Sequence, residues 1–396
     1  METPFFILDR KRLHKNFVSF SRLLGKYFHS DVEPFYSTKT NNHHSVLQEV
    51  MMNGYNLEVS SKKEISVAVK YGFQKILYNA PVKTWDDLNY ALKNNVSFIS
   101  CESLREISIL DKLAASYKKK QNILLRVDTR CNSHASNQII HLFSKRIYSK
   151  KSKFGINYEE LSSFLKRLNG FPNLIFKGIN IHMGSQIIYP DIFSVALSRI
   201  PKDVFESCEV IDIGGGFPCP TIKRKSGFFK EILGKFEPEY SIDEYMQRLA
   251  NHTNETLSNK TIFFEPGRSI VNSCIHAFFS IGKISGNRIY LDGGLNMIPY
   301  HLFRFKYNVG LIRCKNMPKK VDSNFLKAIN KNRVHNTKKK YDIYGNMCFE
   351  NDVIAENVAL ANPREGDIMV FYNCGAYSLS MEFRFNQPKV PVYEVK

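Results

Sequence analysis

The feature that most constrains this chain is an alternation. Through its first two thirds, short apolar, β-branched or aromatic runs are separated by segments with apolar residues at three- and four-residue spacing. The strand-like runs are Pro34–Lys39, Asn56–Ser60, Lys75–Asn79, Ser97–Cys101, Asn122–Asp128, Ile175–His182, Glu209–Ile213 and Thr261–Glu265. The helical segments between them include Ser45–Asn53, Lys62–Tyr71, Trp85–Asn94, Ser103–Lys118, Tyr158–Leu168, Pro190–Arg199 and Ile242–Thr256. Eight strand–helix units in roughly 230 residues predict a (β/α)8 TIM-like barrel. A doubly wound open sheet would place a Gly-rich turn after its first strand, and Pro34–Asn41 has none.

From about Arg268 the pattern changes. Strand-like runs at Ile270–Ile284, Arg288–Asp292, Lys340–Tyr344, Val353–Leu360, Asp367–Phe371 and Lys389–Val395 follow without long helices between them, which predicts a mostly antiparallel β domain. Pro4–Leu8 reads as a strand that joins this sheet. Residues 315–340 are polar and basic and read as a loop or linker. The expected division is an N-terminal segment at 1–30, a barrel at 31–267 and a C-terminal β domain at 268–396.

In such a barrel, chemistry sits at the C-terminal ends of the strands. Those ends carry Lys39, Glu58, Asn79, Glu102, Arg126 with Asp128, His182 followed by Gly184-Ser185, Gly214-Gly215-Gly216, and Glu265-Pro266-Gly267-Arg268. Each has an ordinary reading alone. Lys39 is then a snorkelling surface lysine, His182 a structural histidine, the glycines a turn, and Glu265 with Arg268 an ion pair at a turn. Together they point eight sets of polar groups at one mouth. A lysine there can form a Schiff base with a carbonyl, and three glycines can offer backbone N–H groups to a phosphate.

Composition narrows the partners. The 56 Lys+Arg against 37 Asp+Glu give a formal charge of +19. The Lys runs at 118–120, 150–153 and 338–340 lack interleaved aromatics and any helix-turn-helix or zinc-finger pattern, so no specific nucleic-acid partner is expected. No stretch approaches 18 apolar residues, and no membrane partner is expected. The start, Met1-Glu2-Thr3-Pro4, does not read as a signal peptide. None of the eight Cys form a Cys-x-x-Cys pair, so neither a metal site nor a redox dithiol is signalled, and a reducing cytoplasm is expected.

Taken in order, several segments resemble one family. They are Pro34-Phe-Tyr-Ser-Thr-Lys39-Thr-Asn41, Glu58-Val-Ser-Ser61-x-x-Glu64, Lys153-Phe-Gly155, His182-Met-Gly-Ser185-Gln186, Gly214–Gly216, Glu265-Pro-Gly-Arg268, Cys348-x-x-x-Asp352 and Gly375-Ala-Tyr377. The chain is similar to the pyridoxal-phosphate-dependent ornithine, diaminopimelate and arginine decarboxylases, built on an alanine-racemase-like barrel, with motifs nearest the diaminopimelate branch. The resemblance implies pyridoxal 5'-phosphate as cofactor, α-decarboxylation of an amino acid, and a homodimer with shared sites. It implies that Lys39 holds the cofactor covalently, with Glu58 near it. Glu265 would face the pyridine nitrogen and His182 would stack on the ring. Ser185, Gly214, Gly215, Gly216, Arg268 and Tyr377 would bind the phosphate. Cys348 would come from the partner subunit and deliver a proton.

Two positions depart from the family. The residue after the catalytic Cys is acidic in ornithine and diaminopimelate enzymes, where it reads the distal ammonium; here it is Phe349, with Glu350 next. The Arg-Pro pair expected after Asp292-Gly-Gly-Leu-Asn296 is replaced by Met297-Ile-Pro299-Tyr300, with Arg304 beyond. Phe349, Glu350, Tyr300 and Arg304 are therefore the candidate substrate residues. They imply a modified or non-standard amino acid, as in siderophore-type pathways, with an ordinary diaminopimelate, ornithine or lysine decarboxylase as the alternative. A racemase on the same barrel would want Arg opposite the pyridine nitrogen, where this chain has Glu265. A non-catalytic relative would have lost cofactor ligands that are retained here.

Overall fold

The computed structural model describes residues 2–129, 153–219, 223–224, 241–298, 305–313, 318, 321–331, 339–385 and 387–395. Strand β1 (Phe5–Asp9) opens the chain, followed by helix α1 (Arg10–Tyr27). Then come β2 (Val32–Ser37), α2 (His44–Met52), β3 (Asn56–Val59), α3 (Lys62–Lys70), β4 (Ile76–Tyr78), α4 (Trp85–Lys93), β5 (Phe98–Cys101), α5 (Leu104–Ser116) and β6 (Gln121–Arg126). Strands β7 (Leu174–Asn180), β8 (Val210–Asp212), the short β9 (Lys223–Arg224) and β10 (Thr261–Phe264) follow, with a helix at Ile242–Leu257. Parallel pairing closes β10-β2-β3-β4-β5-β6-β7-β8 into the expected barrel.

The second unit is a curled, mostly antiparallel sheet. It contains β11 (Ile275–Ser285), β12 (Arg288–Leu291), β14 (Asn308–Ile312), β15 (Lys340–Tyr344), β16 (Val353–Ala359), β17 (Ile368–Tyr372) and β18 (Val392–Val395), while β13 (Phe305–Lys306) pairs with β9. Strand β1 lies between β11 and β18 in this sheet.

Helix α1 was not foreseen, although its signal was present. Asp9 caps it by accepting from the Arg12 amide, and Leu13, Phe17, Phe20 and Leu24 recur on one buried face. That face packs into the same core as Tyr36 and Tyr55. Three further expectations are corrected. The run Ile270–Ile284 begins with helical turns over Arg268–Val271 and Asn272–Cys274 before β11 starts. Within 315–340, read as a loop or linker, Ser323–Lys331 is helical because Phe325, Leu326 and Ile329 pack on the sheet core. Strand β14 was missed beside it.

The barrel lumen explains where the site lies. Phe35, Leu77, Phe98, Leu124, Val210 and Phe263, one from each of six strands, form a separate apolar cluster that plugs it. Side chains two positions apart share a strand face. The residues two steps on, Ser37, Asn79, Ser100, Arg126, Asp212 and Glu265, form a polar layer above the plug. Glu58 and Asn180 complete it from β3 and β7, and all eight are buried. Among the described residues no helix is long and apolar enough to cross a membrane.

Candidate active site

Lys39 lies in the 3-10 turn Thr38–Thr40 that ends β2. Its Nζ is 2.7 Å from both Glu58 oxygens, and Ser37 Oγ donates to Glu58 Oε2 at 2.6 Å. Burial acts to lower the Lys39 pKa, but the Glu58 and Glu265 carboxylates outweigh it and hold the ammonium above the usual lysine value. The turn is clamped by the second domain. Ser380 Oγ donates to the Lys39 carbonyl at 2.7 Å, Tyr377 N–H to the Thr40 carbonyl at 2.7 Å, and Asn41 Nδ2 to the Gly375 carbonyl at 2.8 Å.

Glu265 follows β10, the strand next to β2, and reaches into the lumen. Its Oε1 accepts from Asn79 Nδ2 at 3.2 Å and from Asn180 Nδ2 at 3.3 Å. Burial pushes its pKa well up, and neighbouring Asp212 and Glu58 push further. His182 Nδ1 lies 3.8 Å from Glu265 Oε2. Burial, then Arg126 and Lys39, lower His182 to about 3, so its ring is neutral. Arg126 is spent on Asn79 Oδ1 at 3.1 Å and Glu102 Oε1 at 3.2 Å.

The glycine turn is shaped from within. Gly214 N–H donates to Asp212 Oδ1 at 2.8 Å, and Gly215 N–H to His182 Nδ1 at 3.1 Å. Two of the three amides expected to face a phosphate are thus turned onto the protein. Gly216 has φ +83° and a Cβ there would stand 2.0 Å from the Gly184 carbonyl oxygen, so only glycine fits. Arg268 lies over the Tyr377 ring at 4.8 Å, and Ser185 is exposed in the loop after β7.

Cys348, Phe349 and Glu350 are exposed on the turn between β15 and β16. Phe349 packs edge-on against Phe385, with centroids 6.3 Å apart. Among the described residues no hydrogen bond joins these three to the barrel mouth of their own chain. Tyr300 and Arg304 lie outside the described residues. Ser37, Asn180, Asp212 and Ser380 were not anticipated. For Ser37 and Asp212 the available signal was position two beyond an inward strand residue.

The residues suit a flat, phosphorylated aldehyde. An amine, a buried carboxyl from the neighbouring strand, a neutral imidazole, a side-chain-free turn and an arginine match that cofactor's carbonyl, ring nitrogen, ring face and phosphate. Comparison with known proteins agrees. Residues 10–272 match the pyridoxal binding domain of pyridoxal-dependent decarboxylases, and residues 287–375 match their C-terminal sheet domain. The chain is 24% identical to the diaminopimelate decarboxylase of Archaeoglobus fulgidus, across 97% of this chain and 85% of that one. It is 26% identical to a probable chloroplastic diaminopimelate decarboxylase of Oryza sativa, across 97% and 73%. Diaminopimelate decarboxylase from Helicobacter pylori, complexed with L-lysine, superposes with a TM-score of 0.78 at 20% identity, over 100% of this chain and 92% of that one. Lysine/ornithine decarboxylase from Vibrio vulnificus gives 0.74 at 19%, over 99% and 94%. With both of its domains matched in order, the chain belongs to the pyridoxal-dependent decarboxylase family and is a pyridoxal-phosphate-dependent amino-acid decarboxylase.

Proposed function

We propose that this decarboxylase acts on an amino acid whose far end is neutral, acylated or bulky, within a site completed across a homodimer. When bound, pyridoxal phosphate supplies an electron sink for the pair left as CO2 departs. The chain's own residues do the rest. Lys39 anchors the cofactor through its amine, and Glu58 holds that amine in place. Glu265 accepts the ring N–H, keeping the ring nitrogen protonated. His182 stacks, uncharged, on the ring. Arg268, Tyr377, Ser185 and the Gly216 amide hold the phosphate, while Gly214 and Gly215 shape the turn. Cys348 of the partner subunit delivers the proton that replaces CO2.

The observation that carries the substrate reading is Phe349, an apolar ring directly after Cys348 and packed on Phe385. A distal ammonium facing it would lose a charge-assisted hydrogen bond, roughly 1.5–3 kcal/mol. The dimer reading is supported by the exposed Phe349, Met381, Phe383 and Phe385, apolar groups that a second copy would cover. No disulfide joins the six described cysteines, which supports a reducing cytoplasm.

A second reading has its own support: Glu350 is exposed on the same turn, and the relatives above are named diaminopimelate decarboxylases. A CO2-release screen across amino acids separates the two. Phe349→Asp is expected to raise kcat/KM for ornithine, lysine or diaminopimelate relative to the preferred substrate. Efficient turnover of a free diamino acid by the wild type, with Glu350→Gln raising its KM sharply, would instead establish the second reading.

A further inference from the structure

Glu265 does not face the barrel mouth alone. Asp212, the last residue of β8, is a second buried carboxyl at the same end of the barrel. The Asn180 amide spans the two, its Nδ2 2.7 Å from Asp212 Oδ2 and 3.3 Å from Glu265 Oε1. Asp212 accepts a second donor, the Gly214 N–H, on its other oxygen. Asp212 is 0% exposed and Glu265 2%, so neither is solvated by water.

The charges around the pair are already spoken for. Lys39, from the turn after β2, is held by both oxygens of Glu58 on β3. Arg126 on β6 is bound to Glu102 and reaches the pair only through Asn79. His182 after β7 is neutral. Lys39 also bears on Glu265 but is held at contact by Glu58, and no lysine or arginine among the described residues forms an ion pair with either carboxylate. Two such groups cannot both ionise, so they share one proton. Burial likewise raises Asp212, to about 6, against the lowering effect of its two N–H donors.

We propose that Asp212 is a positioning residue that acts through Glu265: the two carboxyls share one proton in the cofactor-free protein, and Glu265 gives that proton up to accept the ring N–H. The balance is simple. One carboxyl O–H bond breaks, the proton leaves to solvent, and Glu265 accepts a hydrogen bond from a ring nitrogen that arrives protonated. Nothing is oxidised or reduced. Asp212 also accepts from Gly214, so the same side chain ties the pyridine end of the site to the phosphate turn. The inference rests on the assignment of Glu265 to the ring nitrogen made above.

Calorimetric titration of the cofactor-free protein with pyridoxal phosphate at pH 7, in buffers of different ionisation enthalpy, counts the protons released. After subtracting any proton lost by the ring nitrogen, read from the 15N shift of labelled cofactor, wild type is expected to release about one proton per site more than Glu265→Gln, which has no carboxyl proton to lose. Asp212→Asn, which removes the like charge, is expected to fall toward the Glu265→Gln value. Equal release by wild type and Glu265→Gln after that subtraction would overturn the shared proton, and needs no Asp212 variant to fold. Wild-type release by a folded Asp212→Asn protein would overturn the role of Asp212. Reduction of each complex with borohydride, followed by mass analysis, separates these outcomes from failure of the cofactor assignment. If Lys39 carries the adduct and the proton counts agree, the inference alone is wrong.

Discussion

Replacing Asp352 with alanine should cost this protein both stability and the placement of Cys348. Asp352 is 3% exposed and sits under the turn that carries the cysteine. Its Oδ1 accepts from the Leu295 N–H and its Oδ2 from the Met347 N–H, each at 2.8 Å. A Cβ on Gly345 would stand 2.1 Å from the same carboxylate, so the turn is built directly onto it. Alanine leaves two backbone donors unmet, one fully buried and one partly, at about 1–3 kcal/mol each, so a loss of roughly 3–4 kcal/mol is expected. That corresponds to a fall in melting temperature of roughly 4–5 °C. Asp352→Asn keeps one acceptor and should lose about half as much. Thermal melting followed by circular dichroism reads the first effect. The second is read by the rate at which Cys348 is alkylated, with the site identified by mass spectrometry, since Cys348 is the exposed thiol among those described. A variant that melts within about 1 °C of wild type, with unchanged Cys348 labelling, would refute the reasoning.

Three further outcomes are expected. Wild-type protein with pyridoxal phosphate should form a borohydride-reducible adduct on Lys39 with the absorption of a bound pyridoxal, and Lys39→Ala should lose both without unfolding. Lys39→Ala and Cys348→Ala, each inactive, should recover about a quarter of wild-type activity when mixed, because half of the dimers are then mixed and each of those has one of two sites intact; full subunit exchange without recovery would rule out a shared site. Burial first, and then the Glu58 charge, raise Glu64 from 4.5 to about 7. A carboxyl raised in the fold favours the folded state below its unfolded pKa and loses that contribution as pH rises through the folded one. Glu64 should thus make stability fall between about pH 4.5 and 7, by roughly 2 kcal/mol. Glu64→Gln should flatten that slope in urea unfolding measured at both ends of the window.

The elements legible in the sequence were those whose signal is local. A β-branched run of four to six residues and a helix stripe can each be read within one segment, and the barrel strands were found this way. Helix α1 had the same stripe but preceded the alternation, and it packs on α2 and on the helix Ile242–Leu257, a neighbour more than two hundred residues away. The residues that hold Lys39 from outside were not legible at all. Ser380 lies 341 positions along the chain from the carbonyl it donates to, and nothing near either residue announces the pairing. Cys348 and Tyr377 were reached through resemblance, because a short loop motif carries no geometry of its own.

The polar layer of the lumen shows how part of that gap closes on physical grounds. Strand residues alternate between lumen and outer wall, so once an inward apolar residue is placed, the position two beyond it is placed as well. Phe35, Leu77, Leu124, Val210 and Phe263 thereby carry Ser37, Asn79, Arg126, Asp212 and Glu265 to the mouth. Asp212 could have been found by this rule, since its strand reads Val210-Ile211-Asp212 and ends in the glycine turn. A buried carboxylate at such a position has no surface role, so it must be answered by another lumen group. Here Asn180 and the Gly214 amide answer it and Asn180 joins it to Glu265, so the proton that we propose the two acids share is set by the barrel.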